Sequence, residues 1–239
     1  MTKICLISFA LLLCLSTMTY AQVDSVLVCD VHYKNAKYDN PHAGSGFLLK
    51  YKTKVYGITA KHVLFFAKSD SMKAIHFNNE LASWTFQSKT DERNSVLAGK
   101  LINENIKEAL VMPPKGDWLI FEIKAQIPPN IVIYTLREKP LKENEELHFL
   151  GYPYGNTTPI RVEGFFTGFT ADKNLSMDVP QGKYGGCSGG PVIDKDGKVV
   201  GLVSMGYFNE KANKMIFEPA SLDYFKTVMS QLEDTQNKR

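Results

Sequence analysis

The sequence predicts an all-β domain, a barrel or sandwich, followed by one C-terminal helix. Three observations carry that expectation. Apolar residues come in short runs broken by turn-forming residues, which is the length and punctuation of strands. Asp196-Gly197, set between Val192-Ile193 and Val199-Val200, is a strong hairpin signal. Only the stretch after Ser221 keeps a helical period, with Ser221 placed to cap it and Leu222, Phe225, Met229 and Leu232 on one face.

In chain order, the first segment stands outside that fold. Lys3, an apolar run over Ile4–Leu15, and small or polar residues up to Ala21 read as a secretory signal peptide over residues 1–21, cut after Ala21. The run is short of the roughly 20 residues that a spanning helix needs. No later run is longer, so the mature protein is expected to be soluble, in the periplasm or outside the cell. Residues 22–239 are enough for one or two well-filled cores.

The formal charge is +3, and losing Lys3 lowers it to +2 with both signs interspersed. That is an ordinary surface, which argues against nucleic acid or a membrane as partner. Of four cysteines, Cys5 and Cys14 fall in the signal, so Cys29 and Cys187 cannot make a disulfide framework. Cys187 is read as a free, packed thiol, with a single bridge to Cys29 as the alternative.

Strands are expected at Ser25–Tyr33, Gly46–Tyr51, Lys54–Ala60, Lys73–Phe77, Trp84–Gln87 and Trp118–Ile123. The pattern continues at Glu146–Gly151, Ile160–Thr170, Leu175–Val179, Pro191–Ile193, Val199–Met205 and Lys214–Phe217. Residues 88–116 are polar and irregular and read as surface excursions. Residues 126–145, with Pro128-Pro129, apolar Ile131–Leu136 and a charged stretch around Pro140, read as a linker between two halves.

Chemistry is concentrated at Gly185-Gly186-Cys187-Ser188-Gly189-Gly190-Pro191-Val192. Glycines on both sides of one hydroxyl suit a tight turn whose N–H groups converge beside it. An acyl-transfer site needs that geometry, a nucleophile with donors where the oxyanion forms. An incidental serine in a glycine-rich hairpin is the plain alternative. A serine needs a base, and of His32, His42, His62, His76 and His148 only His62 follows an apolar strand and opens a helical turn, within Thr59-Ala60-Lys61-His62-Val63. A carboxylate backed by an apolar strand is offered by Gly116-Asp117-Trp118-Leu119-Ile120, where Asp117 could otherwise simply cap a turn.

These segments resemble the trypsin-like (chymotrypsin-fold) serine proteases. Gly186–Pro191 is similar to the family's G-x-S-G-G-P, residues 59–63 to its T-A-x-H-V, and Gly44-Ser45-Gly46-Phe47 to its G-S-G-F strand. Asp117 matches the family's aspartate segment, with a large apolar residue where alanine is usual. His148–Gly155 resembles the G-Y-P-x-G turn of the HtrA and glutamyl endopeptidase groups, and Gly201–Gly206 the strand along which a bound peptide lies. The order His62, Asp117, Ser188 is that of this family and not of the subtilisin or α/β-hydrolase groups.

The resemblance implies two antiparallel six-stranded β-barrels, over about 24–125 and 146–218, with a terminal helix near 221–234. It implies a triad of His62, Asp117 and Ser188, an oxyanion hole from the N–H groups of Gly186 and Ser188, and substrate contacts at Gly182, Lys183, Ser204, Met205 and Gly206. The implied function is an exported serine endopeptidase acting on protein or peptide through an acyl-enzyme, without metal or organic cofactor. A catalytically silent peptide- or partner-binding module is the alternative, followed by an esterase or acyltransferase. A protease-chaperone of the HtrA type would need an appended peptide-binding domain, for which the chain ends too soon.

Departures shape two expectations. Cys187 stands where digestive members carry aspartate, so activation by pairing with a new N-terminus is not expected. Cys187 as nucleophile would put Ser188 where the first glycine belongs, which breaks the pattern. No acid lies near Gly182, and Val203 replaces the histidine of the glutamyl endopeptidases, so a small or apolar residue is expected before the cut bond.

Overall fold

The structure, a computed structural model, describes residues 23–112 and 116–237; residues 1–21, read from the sequence as a signal peptide, lie outside the described residues. The first half supplies β1 (Leu27–Tyr33), β2 (Ser45–Tyr51), β3 (Lys54–Thr59), β4 (Ala74–Ile75), β5 (Leu81–Gln87), β6 (Ser95–Leu101), β7 (Asn105–Ala109) and β8 (Leu119–Ile123). After β9 (Ile133–Leu136), the second half supplies β10 (Glu146–Gly151), β11 (Ile160–Phe169), β12 (Leu175–Asp178), β13 (Pro191–Asp194), β14 (Lys198–Asn209) and β15 (Lys214–Ser221). Helix α1 (Leu222–Asn237) follows directly.

The strands close two rings. β1, β5, β6, β8, β3 and β2 pair in that order, and β2 pairs back to β1. β14, β13, β10, β11, β12 and β15 do the same, closed by β14 on β15. Closure satisfies the backbone groups that an open sheet would leave on its edges. Inside the first barrel, Leu48, Ile58, Phe86, Val96 and Phe121 are wholly buried. The second barrel is filled by Leu147, Phe149, Val192 and Phe217, with the Phe149 and Phe217 rings stacked at 4.8 Å.

Three expectations about the elements need correction. Within 88–116, β6 is a full barrel strand and β7 pairs with β4 in a small separate sheet. The alternation is hidden in β6 because a bulge falls between Ala98 and Leu101, leaving only Val96 and Leu101 buried. The expected strand Lys73–Phe77 shrinks to β4. The segment 126–145 is not only connection, since β9 pairs in parallel with both β2 and β14 and so joins the two barrels.

Helix α1 meets its expected face, with Phe225 and Met229 buried to within 1% and Leu222 to 8%. Phe225 packs on Trp118 at 5.3 Å between ring centroids, so the helix that follows the second barrel braces the first.

Candidate active site

Strand pairing brings His62 and Asp117 together. Thr59 at the end of β3 is opposite Leu119 at the start of β8, so the residues just beyond these two ends leave the sheet side by side. His62 lies in a short 3-10 turn over Lys61–Phe65, and Asp117 immediately precedes Trp118. The Asp117 carboxylate accepts the His62 backbone N–H at 2.8 Å, and its other oxygen is 2.6 Å from His62 Nδ1. Both residues are at most 5% exposed. A carboxylate at Nδ1 keeps the proton on that nitrogen and leaves Nε2 as the acceptor.

A third donor to Asp117 comes from the second barrel. Ser204 Oγ, on β14, reaches Asp117 Oδ2 at 2.5 Å. Sequence reasoning gave Ser204 a substrate contact, and the hydroxyl's bond to the carboxylate was not foreseen.

Ser188 sits on the loop into β13, and that loop is tied to both barrels. Ser188 O accepts Ser45 N at 2.8 Å, and Gly189 N donates to Val203 O at 2.8 Å. A Cβ on Gly189 would stand 2.6 Å from Ala60 N, so the loop rests against the turn that carries His62. Ser188 Oγ itself makes no hydrogen bond among the described residues.

The two peptides beside Ser188 have fixed orientations. Gly185 O accepts Tyr154 N at 2.9 Å, and Cys187 O accepts Gly190 N at 2.9 Å. In a planar trans peptide the N–H points opposite to the carbonyl. The N–H groups of Gly186 and Ser188 are therefore turned away from these anchors. Gly186 has φ +96, and a Cβ there would meet Tyr152 O at 2.6 Å, so only glycine fits.

Beside Ser188 lies a cavity of about 270 Å³ lined by Gly182, Tyr184, Gly185, Val203, Ser204 and Gly206, with Tyr207, Phe208, Met215 and Phe217 also on its wall. No charged side chain lines it. Lys183 and Met205, expected as contacts, are not on this wall; Lys183 is exposed to solvent and Met205 alternates with its neighbours along β14. Tyr184, Met215 and Phe217 were missed because each reads locally as a turn or core residue, and only barrel closure turns them to one cavity.

Cys187 is wholly buried and free, and burial pushes its thiol up to about 12. A thiol held protonated in this way cannot serve as nucleophile. Cys29 is also free and buried, so no bridge joins the two. His42 lies behind the Gly186 loop, its ring 4.9 Å from that of Tyr154 and its Nδ1 accepting Lys89 Nζ at 3.1 Å. Burial first, and then the Lys89 cation, lowers its imidazole to about 4, so it is neutral near pH 7.

Two closed six-stranded barrels with a buried His–Asp pair and a glycine-flanked serine define a class, and the sequence agrees with it. Residues 44–202 match the trypsin-like peptidase domain, and the chain belongs to that family. No curated protein sequence matches the chain significantly. Among solved structures, the serine endoprotease from Yersinia pestis superposes with a TM-score of 0.59 at 15% identity, over 88% of this chain and 63% of that one. The chain thus spans less than two thirds of the Yersinia protein. Rv3671c from M. tuberculosis H37Rv, in an inactive serine-to-alanine form, superposes with a TM-score of 0.54 at 16% identity, over 89% of this chain and 88% of that one. At such identities these likenesses concern the fold.

Proposed function

We propose that the protein is an exported serine endopeptidase whose nucleophile is Ser188. Family membership supports a serine peptidase. The observation that carries the finer reading is the grip of Asp117 on both the N–H and Nδ1 of His62, beside a loop whose carbonyls are anchored away from Ser188.

Ser188 Oγ attacks the scissile carbonyl as His62 Nε2 takes its proton. Asp117 holds the imidazole and stabilises the imidazolium, and the N–H groups of Gly186 and Ser188 receive the oxyanion. His62 then protonates the leaving amine, and water, activated by the same base, releases the acyl group. The hydrogen bond between Ser188 Oγ and His62 Nε2, which the free protein does not make, forms when substrate binds. The uncharged wall of Tyr184, Val203, Met215 and Phe217 favours an apolar side chain on the residue before the cut bond.

The test is labelling of the protein with a fluorophosphonate, followed by peptide-library profiling. Labelling that requires Ser188 and His62 but survives Cys187→Ala, with cleavage after apolar residues, is the expected result. A correctly folded protein that neither labels nor cleaves would overturn the reading in favour of a silent binding module. Secretion of a reporter fused to residues 1–24, lost when Lys3 and the apolar run are replaced, checks export.

A further inference from the structure

The loop that carries Ser188 has four consecutive carbonyls, and two of them end on one residue of the opposite barrel. Ser45, on β2, is wholly buried. Its hydroxyl donates to Gly186 O at 2.8 Å and accepts Tyr152 N at 2.9 Å. Its own N–H donates to Ser188 O at 2.8 Å. Its carbonyl accepts Thr59 Oγ1 at 2.7 Å, which ties it to the strand that ends at His62. With Cys29 Sγ also donating to its carbonyl at 3.6 Å, every hydrogen-bonding group of Ser45 is engaged, and three of its five partners lie in or beside the loop.

We propose that Ser45 is the positioning residue of the oxyanion loop. The inference rests on the peptidase reading and adds a residue to it. The chain between Gly186 and Ser188 can rotate its peptides unless their carbonyls are held, because glycines leave the backbone few steric limits. The anchors of Gly185 O and Cys187 O belong to the second barrel, at Tyr154 N and Gly190 N. Ser45 bonds both remaining carbonyls, Gly186 O and Ser188 O, from the first barrel, which also bears His62 and Asp117. Ser45 thereby sets the oxyanion donors in register with the general base across the interface of the barrels. It touches no substrate atom.

Replacing Ser45 with alanine deletes the hydroxyl and keeps the N–H bond to Ser188 O. Gly186 O and Tyr152 N lose their partner in a dry site, where leaving a polar group unpaired is costly. The Gly186–Cys187 peptide, which lies between the two that carry the oxyanion N–H groups, is then held at its other end by Cys187 N on Tyr184 O and passes its slack to its neighbours. An oxyanion donor contributes roughly 10²–10³ in kcat. A donor misaimed for part of the time should cost about 10-fold to 100-fold, with KM changed little, because the oxyanion exists only beyond the ground state.

The experiment compares wild type, Ser45→Ala and Ser45→Thr, the last keeping a hydroxyl. Active sites are counted with the fluorophosphonate, and kcat and KM are taken per labelled site on a peptide substrate. Affinity for a peptide boronic acid, which fills the oxyanion site as a tetrahedral adduct, is measured alongside. Amide hydrogen exchange is followed at Cys187, Gly189 and Gly190 without any ligand, with thermal melting to show that each variant is folded. In Ser45→Ala, kcat and boronate affinity should fall together while KM holds, and the loop amides should exchange at least about 10-fold faster than in wild type, with β10 unchanged. Ser45→Thr should recover part of both losses. A folded Ser45→Ala with kcat within twofold of wild type, or with wild-type exchange in the loop, overturns the proposal. A wild type that does not label refutes the peptidase reading instead, and loop exchange in Ser45→Ala then decides the role of Ser45.

Discussion

Replacing Lys61 with methionine should destabilise the protein by about 3 kcal/mol. Lys61 precedes His62, and its side chain is 0% exposed. Its Nζ lies 2.5 Å from Glu108 Oε1, 3.4 Å from Tyr224 OH and 4.5 Å above the Tyr224 ring. Tyr224 belongs to α1, and its ring also fills the space over Gly116, where a Cβ would meet it at 2.0 Å. One turn of the helix thus supports the residue before His62 and the residue before Asp117. Removing one partner of a buried ion pair costs ~3–5 kcal/mol. Glu108 is 25% exposed and can turn partly to water, which favours the lower end. Methionine keeps the packing of the stem, while ~1 kcal/mol of cation–π attraction is lost. For a domain of this size the melting temperature should fall by roughly 6–12 °C. Urea unfolding followed by fluorescence of the buried Trp84 and Trp118 measures the difference. Adding Glu108→Gln to Lys61→Met should restore ~1 kcal/mol, because it removes the orphaned charge. A loss under ~0.5 kcal/mol, or a double variant that is simply additive, would refute the reasoning.

Three further outcomes are expected. Asp117→Asn should lower kcat by roughly 10³–10⁴ with little change in KM, because an amide at Nδ1 no longer enforces the tautomer; near-normal turnover of a peptide substrate would remove Asp117 from the site. Stability should fall as pH drops from 6.5 to 4, because His42 titrates near its ordinary 6.5 when unfolded and at about 4 when folded, so the unfolded chain binds the extra proton. The full shift is worth ~3 kcal/mol, which solvent at the half-buried ring reduces to roughly 1–2 kcal/mol; urea midpoints across this range should flatten in His42→Gln, and a slope kept by that variant would assign it elsewhere. Cys29 and Cys187, both with thiols pushed up to about 12 by burial, should resist iodoacetamide at pH 8 in the folded protein and react in urea; alkylation of native protein counted by mass spectrometry would contradict their packing.

The sequence by itself determined what depends on near neighbours. Residues 59–63 and 185–191 stand out as candidates because a histidine after an apolar strand, and a serine between glycines, are local patterns, and the family resemblance rests on the same short segments. Short apolar runs gave the strands, and the spacing of Leu222, Phe225 and Met229 gave the helix and its buried face. Tertiary structure decided the rest. β6 became a barrel strand although its bulge breaks the alternation, and β9 became a seam because residues 48–50 of β2 and 198–199 of β14 lie beyond the pairings that close each barrel. Ser45 and Gly186 are 141 residues apart, Ser204 and Asp117 87, and Lys61 and Tyr224 163. Hydrogen bonds of such separation leave no periodicity in the chain. Their partners are chosen by which strand ends the closed barrels bring together, and that choice is made by packing.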